Sequence, residues 1–117
     1  MRILLVEDDS IQLTLINEML TRMGHTCVMA RDINEAKFEL EQQTFSGVIT
    51  DLILPTGSGY EVAQVAQLFR LPVVFVTATN DRHNMDVMYD YGFVIPKPIS
   101  MSGLSRAIEY FRLVSGR

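Results

Sequence analysis

The sequence predicts a doubly wound α/β domain built on a parallel sheet, and three observations carry that reading. Ile3-Leu4-Leu5-Val6 and Val73-Val74-Phe75-Val76 are apolar at every position, as strands are when helices cover both faces of a parallel sheet. Between the apolar runs lie stretches with hydrophobic residues three and four apart, the period of a helix that buries one stripe. The connections are too short to leave the sheet, so right-handed crossovers must join parallel neighbours.

The elements follow in order. Ile3 to Val6 is the first strand, and Asp9 or Ser10 opens a helix whose Leu13, Ile16, Leu20 and Met23 share a face; Gly24 supplies its left-handed cap. Cys27 to Ala30 reads as a second strand. Asp32, with Glu35 three residues on, has the form of a capping-box variant, opening a helix to about Gln42 with Ala36, Phe38 and Leu40 inward. Gly47 to Thr50 is the third strand. After the Pro55-Thr56-Gly57-Ser58-Gly59 loop, a helix from Tyr60 to Phe69 leads through Pro72 into Val73 to Val76. Asn80-Asp81 caps a fourth helix, Phe93 to Ile95 is a short fifth strand, and Ser100 starts a last helix carrying Leu104, Ala107, Ile108 and Phe111. An edge position for the fifth strand explains Pro96, which has no amide hydrogen for a central ladder.

With 117 residues and 48% hydrophobic composition, the chain suits one domain over residues 1–117, able to bury roughly two thirds of its unfolded surface. A net charge of −4 and scattered basic residues argue against a nucleic-acid-binding face. Cys27 is the only cysteine, so it reads as a small buried hydrophobe and no internal disulfide is possible. The apolar runs are too short for a signal-peptide core or a membrane span, which makes a cytoplasmic protein without membrane contact the expectation.

The polar residues that matter stand just past the strands. Glu7 and Asp8 follow the first, Asp51 the third, Thr77 the fourth and Lys97 the fifth. Ligands of doubly wound sheets bind at those carboxyl ends. Three acids, a hydroxyl and an ammonium there describe a place where a divalent cation and a phosphoryl group could meet. Mg²⁺, or Mn²⁺ in its stead, suits such oxygen donors. Other polar residues read as structural: Asp9 as a helix cap, His25 and His83 as surface groups, and the Gly57 and Gly59 loop as too unlike a phosphate loop to hold a nucleotide.

Val-Glu-Asp-Asp at 6–9, Thr-Asp-Leu-Ile-Leu-Pro at 50–55 with Gly59 eight residues past Asp51, Val-Thr-Ala at 76–78, and Lys97-Pro98 together resemble the receiver domains of two-component response regulators, chemotaxis regulators among them. The likeness covers essentially the whole chain. It implies a flavodoxin-like (βα)5 fold with strand order 2-1-3-4-5, the order given for that family. It also implies a phosphorelay function. Asp51 would take a phosphoryl group from a histidine kinase or histidine phosphotransfer protein in a Mg²⁺-dependent reaction, and the domain would switch a downstream effector or an output domain. By the same resemblance Glu7, Asp8, Asp51 and the Ile53 carbonyl hold the metal. Thr77, the Ala78 amide and Lys97 bind the phosphoryl oxygens, with the Lys97-Pro98 peptide expected in cis.

Two departures from the family pattern bear on switching and lifetime. Val94 occupies the place of a switching aromatic, with Asp90-Tyr91 where Gly-Ala is usual, and Phe93 should face the opposite side of its strand. Ile53 and Thr79 sit where family members tune water access, and neither orients a hydrolytic water, so slow self-dephosphorylation is expected. A docking face would draw on Met85, Met88, Tyr89 and Ile95. The chain reads either as a stand-alone regulator or as a receiver cut from a longer protein. The competing classes are a phosphate-independent pseudo-receiver, against which the intact acids, Thr77 and Lys97 argue, and an aspartyl-phosphate phosphohydrolase. The latter needs a second acid two residues past its nucleophile, where this chain has Ile53.

Overall fold

The computed structural model describes residues 1–78 and 92–115. Five strands, β1 (Arg2–Val6), β2 (Thr26–Ala30), β3 (Gly47–Asp51), β6 (Val73–Thr77) and β7 (Gly92–Pro96), form one sheet in the order β2-β1-β3-β6-β7. Every neighbouring pair is parallel. Between β3 and β6 a small antiparallel ribbon intervenes, β4 (Ile53–Leu54) with β5 (Gly57–Ser58). Leaving the ribbon out, the order is the flavodoxin-like 2-1-3-4-5.

Alternation along the strands divides the core in two. Leu4, Val6, Val48, Phe75 and Val94 point to the face covered by α2 (Ile33–Gln42) and α3 (Gly59–Leu68). Ile3, Leu5, Ile49, Val74 and Ile95 point to the other, covered by α1 (Ser10–Arg22) and α4 (Met101–Ser115). Because both faces are dry, the three central strands are apolar almost throughout. Close approach explains two glycines: a Cβ on Gly47 would enter the Phe111 ring, and one on Gly92 would strike the Val73 carbonyl.

Several expectations need correction. Phe38 is 58% exposed, because it lies about 200° around the helix from Ala36 while the inward stripe is Ile33, Ala36 and Leu40. Ile95 is fully buried in the α1/α4 half of the core and cannot belong to a docking face. Met85, Met88, Tyr89, the Asn80-Asp81 cap and Thr79 lie outside the described residues. Helix α3 runs from Gly59 to Leu68 rather than Tyr60 to Phe69. Asp32 does cap α2 through the Glu35 amide, but the Glu35 carboxylate turns to the amide of Arg31 instead of completing the box on Asp32.

Two helix ends share one device. After α1, the Gly24 amide donates to Thr21 O and the His25 amide to Leu20 O. After α3, the Arg70 amide donates to Gln67 O and the Leu71 amide to Ala66 O. Both are Schellman caps, which require one residue in the left-handed region. Gly24 occupies it at φ 89° without steric penalty, whereas Arg70 occupies it at φ 60° with a Cβ. Arg70→Gly is therefore expected to stabilise the fold by about 1 kcal/mol and Gly24→Ala to destabilise it by about the same. Urea midpoints of the two variants against the parent check both signs.

Candidate functional site

The sheet brings distant side chains together at its carboxyl edge. Parallel pairing of β1 with β3 sets Val6 beside Thr50, so Glu7 and Asp8, one and two residues on, come alongside Asp51. The Glu7 amide donates to Ala30 O at 3.0 Å, which extends the β1–β2 ladder by one step and fixes Glu7. On the other side, Thr77 pairs with Pro96, and the Lys97 amide donates to Thr77 O at 2.8 Å. Lys97-Pro98 is cis.

The result is a cup with one carboxylate at its centre. Carboxylate oxygens of Glu7, Asp8 and Asp51 lie within 4.8 Å of one another. Lys97 Nζ donates to Asp51 Oδ2 at 2.9 Å and lies 4.0 Å from Glu7 Oε1. The Leu52 amide donates to Asp51 Oδ1 at 2.8 Å. Both oxygens of Asp51 are thus oriented, one by an ammonium and one by its own chain. Gly59 closes the loop behind it: its amide donates to Leu52 O, and a Cβ there would collide with the Asp51 carbonyl.

The remaining sequence candidates take varied places. Thr77, 5% exposed, ends β6, and its hydroxyl lies 3.4 Å from Ala78 O. Ala78 is exposed at the rim. Ile53 projects into solvent at 67% exposure, two residues from Asp51. Val94 is buried in the α2/α3 half of the core. Phe93 takes the opposite face, as strand alternation requires, stacked on Tyr110 at 5.7 Å with the Arg106 guanidinium over its ring. Asp9 caps α1 by accepting from the Ile11 and Gln12 amides.

One residue at the rim escaped the sequence reading. Arg31, directly after β2, donates from Nη2 to Asp8 O at 3.2 Å and to Ser10 Oγ at 2.8 Å. A lone arginine after a strand carries no motif, so only the fold reveals where it reaches.

Crowded carboxylates govern the electrostatics. Glu7, 4% exposed, is pushed up to about 8, first by burial, then by its hydrogen bond to Asp51 and the charges of Asp51 and Asp8; Lys97 only partly offsets this. Burial pulls the Lys97 ammonium down, but the Asp51 hydrogen bond and the three acids outweigh it and hold it above its ordinary value. Burial and the neighbouring acids therefore favour the protonated form of Glu7 relative to an ordinary carboxyl. Three hard oxygen donors beside the Lys97 ammonium suit a small divalent cation, which would favour the ionised form of Glu7. The Asp51 carboxylate, oriented and beside an ammonium, has the disposition of a nucleophile toward phosphorus.

The model of the response regulator receiver domain matches residues 3–109. A probable transcriptional regulator, ycf29, from Porphyra purpurea is 31% identical over 114 residues, 92% of this chain and 54% of that protein. The chain spans about half the length, or less, of the curated relatives it matches. Among solved structures, a CheY-like response regulator receiver domain from Methanospirillum hungatei superposes with TM-score 0.87 at 25% identity, covering 98% of this chain and 96% of that one. The receiver domain of the Pseudomonas aeruginosa sensor histidine kinase PA1611, with a magnesium ion coordinated in its active-site cleft, gives TM-score 0.82 at 24% identity, covering 95% and 97%.

The Glu7 shift has a stability consequence with a definite sign. An acid whose pKa is raised by folding favours the native state while protonated, so its contribution is full below the unfolded value and fades as pH climbs toward about 8. With chelator present, the thermal midpoint is expected to fall between pH 5 and pH 8.5 in the parent and much less in Glu7→Gln. Parallel slopes in the two proteins would contradict this assignment.

Proposed function

The chain belongs to the response regulator receiver domain family, and from that membership we propose that Asp51 accepts a phosphoryl group from a histidine kinase or histidine phosphotransfer protein. The whole of residues 1–117 then acts as one receiver unit, a signalling domain that controls an effector or an attached output domain. The observation that carries this reading is the single carboxylate of Asp51 held between the Lys97 ammonium at 2.9 Å and two further acids.

In this reading the Asp51 carboxylate attacks phosphorus in line, forming an O–P bond as the donor's P–N bond breaks and the electron pair leaves with the imidazole. Lys97 offsets charge gathering on the phosphoryl oxygens. The Thr77 hydroxyl and the Ala78 amide stand at the end of β6 to donate to the same oxygens. Glu7, Asp8 and Asp51, with the Ile53 carbonyl, would hold Mg²⁺. Bound there, the cation would neutralise both the acid cluster and the incoming phosphate. The Pseudomonas receiver coordinates a magnesium ion in its own active-site cleft, which supports that choice.

Output must then proceed without a rotating aromatic in β7. Val94 is small and already packed, and Phe93 is in contact with Tyr110 and Arg106 on the other face. The lifetime follows from Ile53. An apolar side chain beside Asp51 offers nothing to orient an attacking water, so the acyl phosphate should persist.

Incubation with acetyl phosphate and Mg²⁺, read by intact mass, is expected to add one phosphoryl group to the parent and none to Asp51→Asn. On removal of the donor, Ile53→Asn should lose the adduct several-fold faster than the parent. An adduct on Asp51→Asn would refute the acceptor, and equal decay would refute the role of Ile53.

A further inference from the structure

The position of Arg31 follows from β2 and α2. Ala30 pairs with Val6 and accepts the Glu7 amide, so the next residue emerges beside the acidic loop. The Glu35 carboxylate, in the first turn of α2, accepts from the Arg31 amide and holds its main chain. Its guanidinium is then spent on two acceptors across the gap: the carbonyl of Asp8 and the hydroxyl of Ser10, the first residue of α1. The contact ties the turn that carries Asp8 to the start of another helix.

That turn needs a tie. Asp8 is the exposed member of the three acids, carried on the short segment between β1 and α1. Glu7, by contrast, is buried and locked by the sheet. Repulsion among the acids drives Asp8 outward unless something holds its backbone. A guanidinium hydrogen bond to a carbonyl is charge-assisted and directional, and Arg can engage two acceptors at once where Lys is a point charge.

We propose that Arg31 is a positioning residue for the cation site, setting its Mg²⁺ affinity by holding the Asp8 main chain in place through Asp8 O and Ser10 Oγ. The inference rests on the reading of the site as a Mg²⁺-dependent phosphoacceptor. It makes a prediction opposite in sign to simple electrostatics. Arg31 is a cation near a cation site, so by Coulomb's law its removal should tighten Mg²⁺ binding. If it acts by position, removal weakens binding, and partners that orient a ligand are typically worth 10–100-fold in metal affinity.

Calorimetric titration of the full chain with Mg²⁺ tests this. Arg31→Ala is expected to bind about tenfold more weakly, Ser10→Ala and Arg31→Lys to fall between it and the parent, and Lys37→Ala to bind as the parent does. Lys37 is an exposed cation on α2 in none of these contacts. Labelling of Arg31→Ala by acetyl phosphate should recover the parent rate when Mg²⁺ is raised to saturation. Thermal melts with chelator confirm that the variants fold. Unchanged or tighter Mg²⁺ binding by folded Arg31→Ala overturns the proposal while leaving the phosphoacceptor reading intact. Absence of Mg²⁺ binding by the parent overturns both.

Discussion

Mutual repulsion of three carboxylates, answered among the described residues by the Lys97 ammonium, is the constraint on which the rest of this structure turns. Glu7, Asp8 and Asp51 crowd within 4.8 Å with Lys97 as their near counter-charge. Left in water, these groups would separate. They stay because backbone ladders on both sides leave no choice: Glu7 is pinned by β2 and Lys97 by β6. Stability supplied by the dry sheet core is spent in part on holding an unfavourable charge arrangement, as pre-organised sites commonly require. The upward shift of the Glu7 carboxyl, to about 8, is the electrostatic expression of that tension.

Parallel strand pairing is what makes the arrangement durable. Asp51 is itself the last residue of β3, and Glu7 and Lys97 follow strands whose hydrogen bonds continue to their amides, so the cup inherits the rigidity of the sheet. Elements that bridge the loops then finish the site. Gly59 lets the β3–α3 connection fold onto the Asp51 carbonyl, and Arg31 spans from the end of β2 to the start of α1. Gly59 meets main chain, and Arg31 meets the Asp8 carbonyl and the Ser10 hydroxyl rather than the carboxylates themselves.

Much of this was legible in the sequence because it depends on local rules. Fully apolar runs such as Ile3 to Val6 read as buried strands, and a strand that buries everything leaves its next polar residue at the sheet edge. The Asp9 cap and the Gly24 left-handed position were equally local. What escaped was set by tertiary geometry. Phe38 fits a helical hydrophobic pattern by composition but lies on the wrong side of α2. Ile95 resembles a surface anchor until α4 is packed over it. The ribbon of Ile53–Leu54 with Gly57–Ser58 has strands too short to show a period. The Glu35 carboxylate chose the Arg31 amide over a reciprocal box, and the reach of Arg31 depends on where two loops meet.

The most direct trial of the central claim is a crystal structure grown with Mg²⁺ and beryllium trifluoride, which mimics a phosphoryl group on a carboxylate. The expected result is beryllium joined to Asp51, fluorines within hydrogen-bond distance of Lys97 Nζ and Thr77 Oγ1, and a cation in contact with Asp8 and Asp51 beside Glu7. A structure with Asp51 unmodified, or with Lys97 turned away while the adduct sits on another residue, would contradict it.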